Sequence, residues 1–543
     1  MKQYSFFITF PIKKVAFFLT IRYNKSIIQK GEKFIDDFKL RKKNLLMFPL
    51  ETVGRDMLCC LVTNFLLTYI LFTKGLTSAQ LAAITAIMVI ARIFDAINDP
   101  IMGNIIESTH SKWGKFKPWL VIGILFTSIV VTMVFSTNLT GWNFIILFGI
   151  FYFCFSISYT MHDISYWGMI PALSSDASAR DQFTSRATLF AGIGSTLASI
   201  LIPMFTTGQN TIGGSANVAY RIIAIVISII APLFLCFTIL GAKERRESPT
   251  EQKTSIGFKK IIKTLTDNDQ LLWISLIFLI QQVGNGIVIG GLGSTYIYFT
   301  YGYDGGLYSI FTTIGMSATA VLMIFYPTIS SKIHRKQLMT IMAIISTIGY
   351  VFMIASRPVA GNFGFWLLVI GYMLSNFGQY SYYLIMMISI INTVEYNEYK
   401  QGTRDEAIIA SVRPFVTKMS SAIIVMITSV SYMIFGVTNY TNQISDLESA
   451  SASGAITEME KLNAIQTVIN GVEQGQTLGL LICMTVIPCI LMLLSYFLYQ
   501  KKYTLDEAEY ERKCEEYLKT IGYFDDGHAA EAVVDVILEK AGL

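Results

Sequence analysis

Histidine is scarce in this chain, and its cysteines form no pattern. Four histidines (His110, His162, His334, His528) are scattered over 543 residues, which speaks against a zinc or haem centre. Cys59, Cys60, Cys154, Cys236, Cys483 and Cys489 lie in apolar stretches and Cys514 near the C-terminus. None has CxxC spacing, so neither a disulfide framework nor a metal knuckle is expected. Charge is sparse as well: 15% of residues are charged and 53% hydrophobic, too apolar for an ordinary soluble protein. No nucleophile–base pair stands out, so the chain does not read as an enzyme and no cofactor is implied. The net charge of +5 sits largely in a few loops and calls for no nucleic-acid partner.

Long hydrophobic runs are abundant. By the ~20-residue length a bilayer demands, there are about twelve. A closed barrel would show short alternating segments instead, so the fold class is all-α, polytopic and membrane-spanning. The segments ESTHSKWGKFKPW, KERRESPTEQKTSIGFKKIIKT and SSKIHRKQ carry excess Lys and Arg. The positive-inside rule puts them in the cytoplasm, and an even span count then puts both termini there. The expected location is the plasma membrane.

The charged stretch 242–268 divides the spans six and six, giving bundles at 46–241 and 269–499 joined by a cytoplasmic linker. Such a layout puts a substrate site between the halves near the membrane midplane. Residues 437–476 form a polar external loop with room for a short helix in ITEMEKLNAIQTVING, and 500–543 a polar cytoplasmic tail. Residues 1–45 read as a basic extension lying on anionic lipid, because YSFFITF is too short to span.

Within the second span, SAQLAAITAIMVIARIFDAINDPIMGNII, three polar residues interrupt the apolar run. Asp95, Asn98 and Asp99 stand at i, i+3 and i+4 and so share one helical face. Carboxylates at membrane depth are costly and mark ion or substrate paths. Two of them a turn apart beside an amide oxygen make a cage for a small cation. The alternative is structural: Arg92 precedes Asp95 by three and can pair with it. Thr77-x-x-Gln80 fits a capping box that starts this helix, and Pro100 favours a kink just past the carboxylates.

In SISYTMHDISYWGMIP, Thr160, Asp163 and Trp167 stand at i, i+3 and i+7, uniting a hydroxyl, a carboxylate and an indole. Sugars need such groups, since carboxylates accept hydroxyl hydrogen bonds while an aromatic face packs the C–H face of the ring. The plainer alternative makes Thr160 bond its own backbone and Trp167 an interfacial anchor. Asp56, after Gly54 and Arg55, opens the first span, where a helix dipole also favours a carboxylate. Lys418, five residues after Arg413, needs a counter-charge, with the carboxylates of the first bundle as candidates, unless it snorkels to the interface.

These segments resemble the glycoside–pentoside–hexuronide:cation symporters, the melibiose-permease group of the major facilitator superfamily. ARIFDAINDPIMGNIIESTHSKWGKFKPWLVIG is similar to the group's signature from helix two into helix three. SYTMHDISYWGMIP resembles its helix-four motif, and NTVEYNEYKQGTRDEAIIASVRPFVTK its cytoplasmic motif between helices ten and eleven. The likeness runs over roughly residues 47–500, without the N-terminal extension or the enlarged external loop. It implies a cation held by Asp95, Asn98, Asp99 and Thr160, and sugar contacts from Arg55, Asp56, Tyr159, Asp163 and Trp167. Lys418 matches the group's helix-eleven lysine. One departure affects sugar identity: the slot for a helix-five sugar-binding arginine falls on Ala187 or Thr188, with Arg186 nearest.

The expected function is therefore symport of a sugar or glycoside with a monovalent cation by alternating access. Neutral oxygens from Asn98 and Thr160 favour Na+, with Li+ or H+ as alternatives. The charged WGKFKPW and EYNEYKQGTRDE segments are expected to gate the cytoplasmic side through ion pairs between the bundles. The rival readings are a carrier of lipid or another non-sugar solute, and a non-transporting membrane sensor.

Overall fold

A computed structural model describes residues 42–173, 177–243, 266–330, 332–359, 361–402, 406–505 and 512. Most of the expected N-terminal extension 1–45, most of the 242–268 linker and nearly all of the C-terminal tail lie outside these residues; the last part of the extension, 42–45, instead belongs to the first helix. Among the described residues the chain is helical throughout, without strands. The first six long helices are α1 Lys42–Thr73, α2 Ser78–Glu107, α3 Lys117–Ser136, α4 Gly141–Leu173, α5 Ala177–Thr206 and α6 Ala216–Gly241. After the linker come α7 Asp269–Tyr301, α8 Gly305–Ser330, α9 Arg335–Ala355, α10 Asn362–Gln401 and α11 Glu406–Ile434. Two helices occupy the expected loop, α12 Val437–Ala452 and α13 Glu458–Asn470, before α14 Gln474–Lys502 closes the second bundle.

Eleven of these helices are long and apolar enough to cross a membrane. The remaining long one, α10, runs 40 residues and buries Asn376, Gln379, Asn392 and Asn397. Local sequence explains several boundaries. Thr77 caps α2 in the expected box: its hydroxyl accepts the Gln80 N–H (3.2 Å) and the Gln80 amide oxygen accepts the Thr77 N–H (3.0 Å). Pro100, Pro171, Pro203 and Pro232 all lie inside helices of the first bundle. Membrane helices tolerate such breaks because neighbours re-satisfy the freed carbonyls.

The first helix of each bundle carries one wide i→i+5 turn, Leu61–Phe65 in α1 and Val288–Leu292 in α7. The latter is made possible by Gly291 at φ 120°. Wide turns of this kind cluster at functional sites because they re-aim the side chains after them. Close packing holds α1 in place. A Cβ on Gly54 would fall 2.8 Å from the Ala231 Cα of α6, and one on Gly194 of α5 would overlap the Val53 carbonyl. Small residues at these crossings let backbones meet, as lipid-embedded helices require.

Chain direction defines two ends. The loops after α2 and α8, and the α6–α7 linker, are the basic end; the loops after α1, α3, α5 and α7 lie at the opposite end, as does the α12–α13 hairpin. At this opposite end the bundles are stitched together. Gly305 N–H donates to the Thr207 carbonyl (3.2 Å), and a Cβ on Gly305 would overlap the Pro203 carbonyl. Ser309 Oγ donates to the Ile200 carbonyl (2.8 Å).

The α12–α13 hairpin adds a clamp. Asn442 exchanges both amide hydrogen bonds with the Leu76 backbone, at 2.8 and 2.9 Å. Glu448 and Lys461 pair at 3.3 Å with both side chains fully buried. Each then reaches the first bundle: Glu448 Oε2 accepts the Ala216 N–H (2.6 Å) at the start of α6, and Lys461 Nζ donates to the Gly214 carbonyl (2.7 Å). Burial pushes the Glu448 carboxyl up from its ordinary range, and the Lys461 ammonium opposes that shift.

Candidate functional site

Two charged groups lie inside the first bundle, on facing helices. In one, α1 contributes Arg55 and Asp56. Arg55 Nη2 meets Asp56 Oδ2 at 2.7 Å, and its Nη1 meets Asp163 Oδ1 of α4 at 3.4 Å. Trp167 Nε1 donates to the same Asp163 oxygen at 3.1 Å. The guanidinium also rests over two rings, 4.8 Å from the Tyr166 centroid and 5.5 Å from that of Trp167. Arg55 is nearly buried while a third of Asp163 remains exposed. The chemistry is directional: a fixed fork of donors, a partly free carboxylate and an indole edge converge where a hydroxyl-rich ligand could enter.

The other group joins α2, α4 and α11. Asp95 is 2% exposed and takes Arg92 Nη1 at 3.3 Å and the Ser156 hydroxyl. Asp99 accepts Thr160 Oγ1 at 3.1 Å, and its two oxygens hold Lys418 Nζ at 2.7 and 2.5 Å. Lys418 thus finds the counter-charge it needs across the bundle interface. The Asp99 side chain is 29% exposed and that of Lys418 24%, so this pair reaches solvent while Asp95 does not. Asn98, between them, is 7% exposed, and its amide nitrogen has no hydrogen-bond partner.

The Arg92–Asp95 pairing raised from the sequence as a structural alternative is therefore present, and it engages one carboxylate of the two. A charge at the centre of a span costs about 2.5–3.5 kcal/mol on insertion, so four charges drawn into two pairs recover much of that cost.

Arg55, Asp56, Asp163 and Trp167 come together, as do Asp95, Asp99, Thr160 and Lys418. Tyr159, one residue before Thr160 on α4, stacks on Phe155 (5.7 Å) and lies near Arg55, Asp56 and Asp163. Arg186 does not join them. It is exposed, and its Nη1 donates to the Leu45 carbonyl at the start of α1 (3.1 Å), away from the Asp163 group. At the basic end, ion pairs form within each bundle, Lys115 with Glu107 and Lys400 with Asp269.

Four partners escaped the motif-based reading. Ser156 was detectable in principle, since it falls one turn before Thr160 on the same α4 stripe. Tyr166, beneath Arg55, left no period signal among the aromatics of α4. Nor did Glu51 and His162, which bond at 2.6 Å wholly inside the bundle and tie α1 to α4.

Paired bundles of six spans, joined in sequence by a linker and meeting around buried charges, define a major-facilitator transporter. Solved structures agree on the fold. A bacterial homologue of the lysosomal transporter Spinster, inward-facing and unoccupied, aligns with TM-score 0.56 at 11% identity, covering 86% of this chain and 98% of that one. A D-xylose–proton symporter aligns with TM-score 0.53 at 14% identity, covering 77% and 96%.

Residues 47–507 match the family described as MFS/sugar transport protein, and the chain belongs to that family, in its glycoside–pentoside–hexuronide branch. It is 30% identical over 403 residues to a lactose permease of Leuconostoc lactis, covering 70% of this chain and 60% of the permease. It is 29% identical over 394 residues to a raffinose carrier protein of Pediococcus pentosaceus, covering 70% and 60%. A glucuronide carrier protein homologue of Escherichia coli K12 is 25% identical over 430 residues, covering 76% and 87%. The match thus spans about three fifths of the first two relatives. The relatives are carriers, not enzymes.

Proposed function

We propose that this protein carries a sugar or glycoside across the plasma membrane together with a monovalent cation, by alternating access. The observation that carries the reading is the shared α4 stripe. Thr160 touches the Asp99 carboxylate, and three residues later Asp163 receives Arg55 and Trp167. Cation and sugar would then sit on adjacent turns of one helix, so occupancy of either alters the other's affinity by the same factor.

Lys418 supplies the link to motion. Its ammonium neutralises Asp99 from the second bundle, acting as a tethered cation. An alkali ion entering beside Asp99 does the same work from within the first bundle and frees that inter-bundle tie. Neutral oxygens from Asn98 and Thr160 help replace water around Na+ or Li+ and contribute little to simple protonation. With the basic loops facing the cytoplasm and both termini inside, the stitched end is extracellular, and the form described is closed there.

Relatives named as lactose permease and raffinose carrier support a galactoside or similar oligosaccharide as cargo. The deciding experiment is uptake into proteoliposomes of a panel of glycosides, pentosides and hexuronides, each with an inward Na+, Li+ or proton gradient. At least one sugar should accumulate only with a cation gradient. Equal uptake with and without every gradient, across the panel, overturns the coupling; no uptake of any sugar overturns the cargo.

A further inference from the structure

Helices α2 and α4 both run from the opposite end towards the basic end, and they pack in register. The offset between hydrogen-bonded residues is the same one turn apart: Ser156 to Asp95 and Thr160 to Asp99 are each 61 positions distant. Each carboxylate of α2 therefore has its own hydroxyl on α4. The family likeness assigns only the second of these.

We propose that Ser156 is a further oxygen ligand of the coupling cation, at the dry end of the site, and that it sets the preference for an alkali ion over a proton. The proposal rests on the cation-symport reading above. Four observations place an ion here. Ser156 and Asp95 are 4% and 2% exposed, so their oxygens face no bulk water. The Ser156 hydroxyl donates to Asp95 Oδ1 and keeps its own lone pairs for a ligand. Asn98, on the same face of α2 and 93% buried, carries an amide oxygen that can serve as a further neutral ligand between the two carboxylates. Arg92 already offsets the Asp95 charge, so a cation at this end gains more from neutral dipoles than from a second full charge.

An alkali ion entering a protein must exchange several water oxygens for protein oxygens. A ring of two carboxylates, two hydroxyls and one amide supplies them; a carboxylate pair without hydroxyls supplies too few. A proton needs one carboxylate oxygen and no ring. Removing the Ser156 hydroxyl should therefore weaken Na+ without weakening H+, since Asp95 loses a donor that favours its ionised form. A residue that merely oriented Asp95 would change both ions together, because both use that carboxylate.

The test is sugar uptake by the full-length carrier in proteoliposomes, driven separately by Na+ and by a proton gradient, for wild type, S156A, S156G and S156T. The expected result is a rise of about tenfold or more in the half-saturating Na+ concentration for S156A and S156G, comparable to the loss of one hydrogen bond to a charged group. Proton-driven uptake should stay near wild type, and S156T, which keeps the hydroxyl, should restore Na+ dependence. Sugar counterflow without any ion gradient reports whether each variant is intact in the membrane. A variant with normal counterflow whose Na+ and H+ responses are both unchanged, or fall in parallel, overturns the role of Ser156. Indifference of the wild type to every cation overturns the symport reading itself, and the inference with it.

Discussion

The two bundles share an architecture and solve the problem of buried polarity in opposite ways. In the first, charges do it: Arg55 with Asp56 and Asp163, Arg92 with Asp95, and Asp99 with a lysine borrowed from across the interface. In the middle of the second bundle's spanning helices, amides do it. Gln281 Nε2 donates to the Gln379 carbonyl (3.0 Å) and side-chain oxygen (3.2 Å), Gln379 Nε2 donates to Tyr350 Oη (3.1 Å), and Asn376 Nδ2 donates to the Gly315 carbonyl (3.2 Å). Amide networks of this kind are neutral and nearly self-contained, so nothing is gained by exchanging a partner. Ion pairs are exchangeable, because a mobile cation can take the place of a fixed one. The first bundle is thus built to change partners, and the second to stay as it is while lending Lys418.

Breaking that difference at its strongest point should have the largest effect. Asp99→Asn leaves Lys418 without a counter-charge and deprives a cation of its most exposed carboxylate. Breaking one side of a buried ion pair costs about 3–5 kcal/mol, and partial exposure of this pair reduces that figure. We expect cation-stimulated uptake to vanish while the protein still inserts, checked by uptake with and without Na+ beside quantification in the membrane. Asp95→Asn should behave likewise. Wild-type stimulation in both variants would refute a cation site on α2.

Asp163→Ala comes next. It removes the acceptor shared by Arg55 and Trp167 and leaves the α2 carboxylates untouched. Sugar affinity should fall by about 100-fold, the loss expected when a charged hydrogen-bonding group is taken from a binding site. Cation binding to the sugar-free protein should persist with weaker coupling to sugar. Equilibrium binding of a labelled sugar at low and high Na+ measures both; unaltered affinity would put the sugar elsewhere.

Most of this first-bundle pattern was legible in the sequence. Asp95, Asn98 and Asp99 interrupt an apolar run at helical spacing, and Thr160, Asp163 and Trp167 repeat that signal on another helix. Periodicity shows which residues share a face. It does not show which face meets which, so the partner of Ser156, and which first-bundle carboxylate takes Lys418, became visible only with the packing of α2 against α4 and α11. Arg186 illustrates the same limit from the other side: its charge and position suggested a site residue, yet its side chain turns back to the Leu45 carbonyl. The clamp in the α12–α13 hairpin was hidden for a different reason. Glu448 and Lys461 are thirteen residues apart in a segment read as a polar loop, and a charge in a loop is ordinarily solvated. Only a fold that buries both completely gives them meaning.

The clamp sharpens the comparison, because it is an ion pair owned by the second bundle and aimed at the first. Alternating access requires the stitched end to open, and opening must part Glu448 from the Ala216 N–H and Lys461 from the Gly214 carbonyl. A cysteine pair at Asn217 and Ser449, whose side chains lie 3.5 Å apart in this form, should halt transport when oxidised and release it when reduced. Glu448→Gln keeps the shape but weakens the tie, and should raise the share of molecules open at that end. Thr68 is buried on α1 beside Gly291 of α7, near the stitched end, and reaction of an engineered cysteine there with a membrane-impermeant thiol reagent, in protein otherwise stripped of cysteine, would report it. Unchanged labelling would mean that the hairpin rides passively on the second bundle.

The smallest effect should come from the amides. Gln379→Leu replaces a satisfied acceptor–donor set by an apolar group of similar size and takes the donor from Tyr350 Oη, while Gln281 keeps the main-chain carbonyl of residue 379. Loss of a buried neutral hydrogen bond costs about 1–3 kcal/mol when a partner is stranded. Thermal stability in detergent should drop by a few degrees, by the usual scaling for large domains. The half-saturating Na+ concentration should not change, since no charge moves and the network does not touch α2. If Gln379→Leu altered cation dependence as strongly as a carboxylate substitution on α2, the division of labour between a partner-changing bundle and a steady one would be wrong. The second bundle would then hold part of the ion path itself.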